Sequence, residues 1–180
     1  AMGNWLNLAR ALFDSIGGLA QKHAILLTDG ENHNETQQQL DLAIRNSAGQ
    51  FQVDCRGIGV DWKVAEIRKI AQALLGTVDI IPNPSQLGQA FAEMMQKSMG
   101  RGVAQADLRV WIPQGAQVLF VRQVSPTVED LTQRGVPVNP LTQAYPTGSW
   151  GDEERDYHLQ VRLPAKSVGQ EQLAGRVQLS

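Results

Sequence analysis

The stretch His23-Ala24-Ile25-Leu26-Leu27-Thr28-Asp29-Gly30-Glu31 decides the fold class. Its apolar run is too short and too uniform for an amphipathic helix, and Asp29-Gly30 is a strong turn signal, so the run reads as a strand ending at Thr28. Being apolar on both faces, it predicts a central parallel strand with helices on either side. In such sheets ligands bind beyond the carboxyl ends of the strands. Asp29 stands at that edge, where its carboxylate either only shapes the turn or meets a metal, a phosphate or a partner.

Helices are expected on both sides of this strand. Trp5, Leu8, Ala9, Leu12 and Ile16 recur at helical spacing and stop at Gly17-Gly18, which predicts a helix over 4–16 with that stripe packed on a sheet. Residues 36–48 place Leu40, Ala43 and Ile44 on one face and end at Gly49, a second surface helix. Residues 51–60 read as a strand with Val53, Cys55 and Ile58 as core positions. Val64, Ile67, Ile70, Ala71 and Leu74 form the next helical face, and 77–81, closed by Pro82-Asn83-Pro84, reads as a third strand. Ser85 is the expected N-cap of a last helix carrying Leu87, Phe91, Met94 and Met95.

Alternation of this kind implies a partial doubly wound, Rossmann-like parallel sheet with flanking helices, because parallel strands need crossover connections. Three strands are too little sheet to cover four long helices, which points to a missing piece on the N-terminal side. Ala1-Met2 fits that expectation as native sequence cut from a longer protein, or else is a tag remnant before an initiator Met.

At Gly100-Arg101-Gly102 the pattern changes. Strand-like runs at 108–112, 118–124, 157–163 and 173–179 follow, separated by Pro, Gly and Asn, with no useful helical period. The expected organisation is an α/β domain over 1–102 and a small all-β, β-sandwich-like unit over 103–180. Residues 136–151 hold Pro137, Pro140 and Pro146 and read as an extended loop or irregular edge strand. Four strands make a poor sandwich, so this unit too is expected to borrow strands.

Composition narrows the function. The 16 basic and 18 acidic residues of the 180 nearly cancel and form no long run of one sign, so a nucleic-acid role finds no support. No apolar stretch approaches the roughly 18 residues of a spanning helix, and no secretion signal opens the chain, which makes a cytoplasmic protein without membrane contact the default expectation. The single Cys55 lies in an apolar run and reads as a small buried hydrophobe.

Motifs for catalysis are lacking. His23, His33 and His158 make no metal-binding pair at helical spacing and read as surface or strand-end residues. Gly57-x-Gly59 lacks the third glycine of a dinucleotide fingerprint, no Walker-type Gly-Lys-Ser/Thr is present, and no serine sits in a Gly-x-Ser-x-Gly elbow. Trp62, Trp111 and Trp150 read as packing residues, since no basic interleaving accompanies them. The acidic turn Asp29-Gly30-Glu31-Asn32-His33-Asn34-Glu35 has the oxygens to suit a hard cation such as Mg²⁺ or Ca²⁺. For all of it but Asp29, a solvated turn leading to a helix capped by Asn34 or Thr36 is the simpler reading.

Ala24 to Gly30, the strand Phe51 to Val60, the helix Val64 to Ala71, and Val78-Asp79-Ile80-Ile81-Pro82 with Leu87 to Phe91 together resemble the second half of a von Willebrand factor type A domain. The tail, with Gly148-Ser149-Trp150-Gly151 and Glu154-Arg155-Asp156-Tyr157-His158-Leu159, is similar to the small β-sandwich attached to that domain in many prokaryotic members. The resemblance implies a non-enzymatic protein-interaction domain that binds its protein partner through Mg²⁺ at a metal-ion-dependent adhesion site. In the family an Asp-x-Ser-x-Ser loop, a later Thr and the Asp of the Thr-Asp-Gly turn hold the ion. Only Asp29 matches, so the resemblance also implies an N-terminally truncated chain whose site is incomplete, and whose exposed sheet edge invites homo-oligomers. The rival reading is a small enzyme or nucleotide binder on a flavodoxin-like sheet, with 57–61 as its phosphate turn.

Overall fold

The computed structural model describes residues 1–30, 32–59 and 63–180, in two compact units, Ala1–Ala104 and Gln105–Ser180. Glu31 of the acidic turn, Val60 and Asp61 at the end of the second expected strand, and Trp62 lie outside the described residues.

The first unit runs α1 (Met2–Ser15), β1 (His23–Thr28), α2 (Gln37–Ser47), β2 (Gln52–Ile58), α3 (Val64–Ala73), β3 (Val78–Ile81) and α4 (Leu87–Met99). Its sheet is parallel with order β1-β2-β3, and the register sets His23 beside Gln52, Thr28 beside Gly57, and Cys55 beside Val78. This is the expected α/β arrangement of a parallel sheet with flanking helices. Side chains alternate along each strand, so Leu26, Val53 and Cys55 enter the core with Met2, Leu6, Leu40, Ile44, Ile67 and Ile70. His23, Ile25 and Asp54 fall on the opposite face. The α3–β3 connection runs so close to β2 that a Cβ on Gly76 would stand 1.7 Å from the Val53 carbonyl oxygen, which only glycine permits.

Two helices differ from expectation. In α1 the buried stripe is Met2 and Leu6 with Ala9 and Phe13 packed beside them, whereas Trp5, Leu8, Leu12 and Ile16 remain about half exposed. Both stripes are apolar, and periodicity cannot rank two apolar faces of one helix. In α4 only Met94 is buried, while Phe91 and Met95 are exposed. Ser85 does not cap it: Asn83 accepts from the Ser85 N–H at 3.0 Å, and Pro84–Gln86 form a 3₁₀ turn leading into the helix. A proline at the first position favours that tight turn.

The second unit is all-β, with β4 (Val103–Trp111), β5 (Gln117–Ser125), β6 (Glu129–Asp130), β7 (Val136–Asn139), β8 (Thr142–Trp150), β9 (Asp156–Arg162) and β10 (Arg176–Leu179). They form two sheets, β10-β4-β8-β7 and β6-β5-β9. Leu108, Val110 and Tyr145 of the first meet Val121 of the second and Leu131 in one core, so no borrowed strand is needed to make the two layers. Of the loop or irregular edge strand expected over 136–151, the first part is such an edge strand, β7, with a register shift between Pro137 and Asn139, and the rest is β8, which lies between β4 and β7. Pro137 sits on the edge strand and Pro140 in the turn, where neither breaks a ladder, and the buried Ala144 and Tyr145 hold β8 inside. Arg155 secures the strand's end: it donates to the carbonyls of Thr147 and Ser149 at 2.6 Å each and lies over the Trp150 ring at 4.4 Å.

Candidate functional site

Asp29 follows β1 directly and is exposed at the carboxyl end of the strand. Behind it, the hydroxyl of the buried Thr28 donates to the Gly30 carbonyl at 2.9 Å and closes the turn. Asn32 and Glu35 of the acidic loop face α1. Asn32 Oδ1 accepts from the Met2 N–H at 3.1 Å, Glu35 Oε2 accepts from the Gly3 N–H at 2.9 Å, and the Asn32 amide donates to the same Glu35 oxygen at 2.8 Å. These are N–H groups that the first turn of a helix leaves without partners, and a carboxylate there also meets the positive end of the helix dipole. A side chain on Gly3 would collide with Glu35, its Cβ lying 2.1 Å from Oε1. Thr36 caps α2 in a reciprocal box with Gln39. His33 and Asn34 are exposed.

A hard cation fits these side chains poorly on their own. Mg²⁺ demands a near-octahedral oxygen shell. Asn32 Oδ1 and Glu35 Oε2 accept from the N–H groups of α1, the Thr28 hydroxyl donates within the turn, and among the described residues no group of three His, Cys, Asp or Glu is placed to hold a metal. Asp29 is one exposed carboxylate at the end of β1. Of the rival phosphate turn, Gly59 has a left-handed φ of 72°, and Val60 and Asp61 lie outside the described residues.

A second constellation was not legible in the sequence. His23, expected at the surface or at a strand end, is the first residue of β1, with a side chain only 6% exposed, and bridges two partners: Nε2 lies 2.8 Å from Asp54 Oδ2 and Nδ1 lies 2.6 Å from Ser98 Oγ. A carboxylate accepts only, so Nε2 carries the proton, and in the neutral ring Nδ1 accepts from the Ser98 hydroxyl. Asp54 also accepts from Arg101 Nη2 at 2.9 Å, the Thr77 N–H at 2.7 Å and the Thr77 hydroxyl at 2.9 Å. Burial pushes the Asp54 carboxyl up, but the hydrogen bond and charge of His23, then the charge of Arg101 and the Thr77 N–H, outweigh it and hold it well below the usual carboxylate range.

Ser98, His23 and Asp54 are the residue types of a nucleophilic triad. Two further groups on the trio, the Thr77 N–H and Arg101 Nη2, donate to Asp54 rather than lying at Ser98. The network ties the end of α4 to β1 and β2. Cys55 beside it is fully buried, and desolvation followed by the Asp54 charge pushes its thiol up to about 12, which makes it inert. His158 is exposed on β9. Trp111, expected in the core, stands outside the core cluster and faces a surface depression.

No protein-family model matches the chain. A solved structure described as von Willebrand factor type A from Catenulispora acidiphila is 54% identical and matches 99% of the chain with a TM-score of 0.94. A curated but uncharacterized protein from a Synechocystis species is 32% identical over 114 residues, 61% of the chain. The chain spans 42% of the solved protein's length and 27% of the curated one's. No helix among the described residues is long and apolar enough to cross a membrane. Over both units, and at this identity, the chain is similar in sequence and fold to that von Willebrand factor type A protein.

Proposed function

We propose that the chain is part of a non-enzymatic protein-interaction domain, and that in the whole protein Asp29 is one ligand of a Mg²⁺ site through which an acidic group of a partner protein is bound. The observation that supports this most is the exposed carboxylate of Asp29 at the carboxyl edge of the sheet, which has no partner among the described residues, whereas Asn32 Oδ1 and Glu35 Oε2 accept from α1. The greater length of both relatives leaves room for further ligands outside these 180 residues. Alone, one carboxylate supplies too few fixed oxygens for tight binding.

Calorimetric titration tests the proposal. Mg²⁺ or Mn²⁺ added to the 180-residue chain should give no micromolar binding, whereas the full-length protein should bind and lose most of that affinity on Asp29→Ala. Full-length binding that ignores the substitution contradicts the proposal.

A further inference from the structure

On the outer face of the β10-β4-β8-β7 sheet lies a depression of about 480 Å³. The register builds it: Arg176 of β10 pairs with Trp111 of β4, and Gln178 pairs with Arg109, so these four side chains share the face opposite Leu108 and Val110. Thr142 and Asn139 complete its polar lining, and no acidic residue is among the lining side chains. Neither Arg109 nor Arg176 is ion-paired among the described residues, in a chain whose net charge is −2. The indole of Trp111 carries no stacked guanidinium, whereas that of Trp150 is covered by Arg155.

We propose that this face binds an acidic saccharide, a sugar ring bearing a carboxylate. The charged side chains of the lining, Arg109 and Arg176, only donate, and the Asn139 Oδ1 already accepts from the Leu141 N–H at 3.0 Å, which leaves its amide N–H groups to a ligand and the neutral Gln178 and Thr142 oxygens as acceptors. Neutral sugars present many hydroxyl donors and call for carboxylate acceptors, which the site lacks. A uronate reverses that demand: its carboxylate takes the bidentate guanidinium fork. Its C–H face, of positive partial charge, packs on the negative face of the indole. An acidic peptide is the weaker fit. Its backbone gains most at a free strand edge, and here the sheet's edges are the outer sides of β10 and β7 while the depression lies on the sheet face.

The test is an NMR titration of the 180-residue chain with trigalacturonate, with maltotriose and hexaglutamate as controls. Saturable shifts should centre on the amides of Arg109, Trp111, Arg176 and Gln178, weaken with added salt, and be absent with maltotriose. Arg109→Gln and Arg176→Gln should each lower affinity roughly tenfold while the remaining spectrum stays native. Trp111→Phe should retain partial binding, which separates loss of stacking from loss of fold. Tighter binding of hexaglutamate overturns the proposal in favour of an acidic peptide, and failure of trigalacturonate to bind overturns it outright. Because the site lies wholly in the second unit, neither result bears on Asp29.

Discussion

His23 Nε2 and Asp54 Oδ2 meet at 2.8 Å, the first residue of β1 joined to the third of β2 across one face of the sheet. With Ser98 and Arg101 attached, this contact makes the end of α4 part of the sheet's own bonding.

A pH dependence follows. Asp54 is held below the ordinary carboxylate range in the folded protein, so it contributes stability that is fully present above its unfolded pKa of about 3.9 and is lost as pH falls toward the folded value. Asp54→Asn leaves buried donors facing an amide and should cost about 3 kcal/mol at pH 7. Urea denaturation at pH 7 and again near pH 3 checks this: the gap between wild type and variant should be large at the first and shrink at the second. An equal gap at both values contradicts the assigned network.

Ser98→Ala removes the outer hydroxyl of the relay and should cost about 1 kcal/mol. Since the donors of Thr77 and Arg101 go to Asp54, hydrolysis of an activated ester should be no slower in the variant. A Ser98-dependent burst of product release would show that the trio is catalytic after all.

Glu35 and Gly3 should behave as one unit. Glu35→Gln keeps the acceptor geometry but loses the charge at the α1 N-terminus, a loss of about 0.5–1 kcal/mol. Gly3→Ala places a methyl where the Glu35 carboxylate sits and expels it. Thermal denaturation of the two single variants and the double variant should therefore show a combined cost well below the sum. Full additivity would mean that the two residues do not share this contact.

β1 is an edge strand of its sheet among the described residues; an apolar groove of about 280 Å³ lined by Trp5, Leu6 and Ala9 of α1 runs along it, and the same helix exposes Leu8 and Leu12. Such surface favours association. Sedimentation should show concentration-dependent self-association of the 180-residue chain that Leu8→Glu with Leu12→Glu suppresses. A monomer at every concentration would contradict this reading of the groove.

Most of the α/β unit was legible because each signal was local: Gly49 after α2, Thr36 before it, and the apolar run from Ala24 to Thr28. What escaped was non-local. His23 finds Asp54 at a separation of 31 residues and Ser98 at 75, distances over which no pattern in a single sequence operates. The committed oxygens of Asn32 and Glu35 escaped for the same reason, since their partners Met2 and Gly3 lie 30 and 32 residues away. β8 was hidden by three prolines, though each sits where a strand tolerates it or where Tyr145 and its neighbours supply the burial. Trp111 was assigned to packing because its second arginine, Arg176, arrives only through strand pairing; the alternation Arg109-Val110-Trp111 was the one local hint.

The most direct measurement is the Mg²⁺ affinity of the full-length protein with and without Asp29→Ala. Calorimetry should show binding in the wild type, a loss of tenfold or more in the variant, and no tight binding to the 180-residue chain alone. Equal affinity of the full-length wild type and variant would remove Asp29 from the site, and micromolar binding to the 180-residue chain that Asp29→Ala abolishes would show that the site is complete within it.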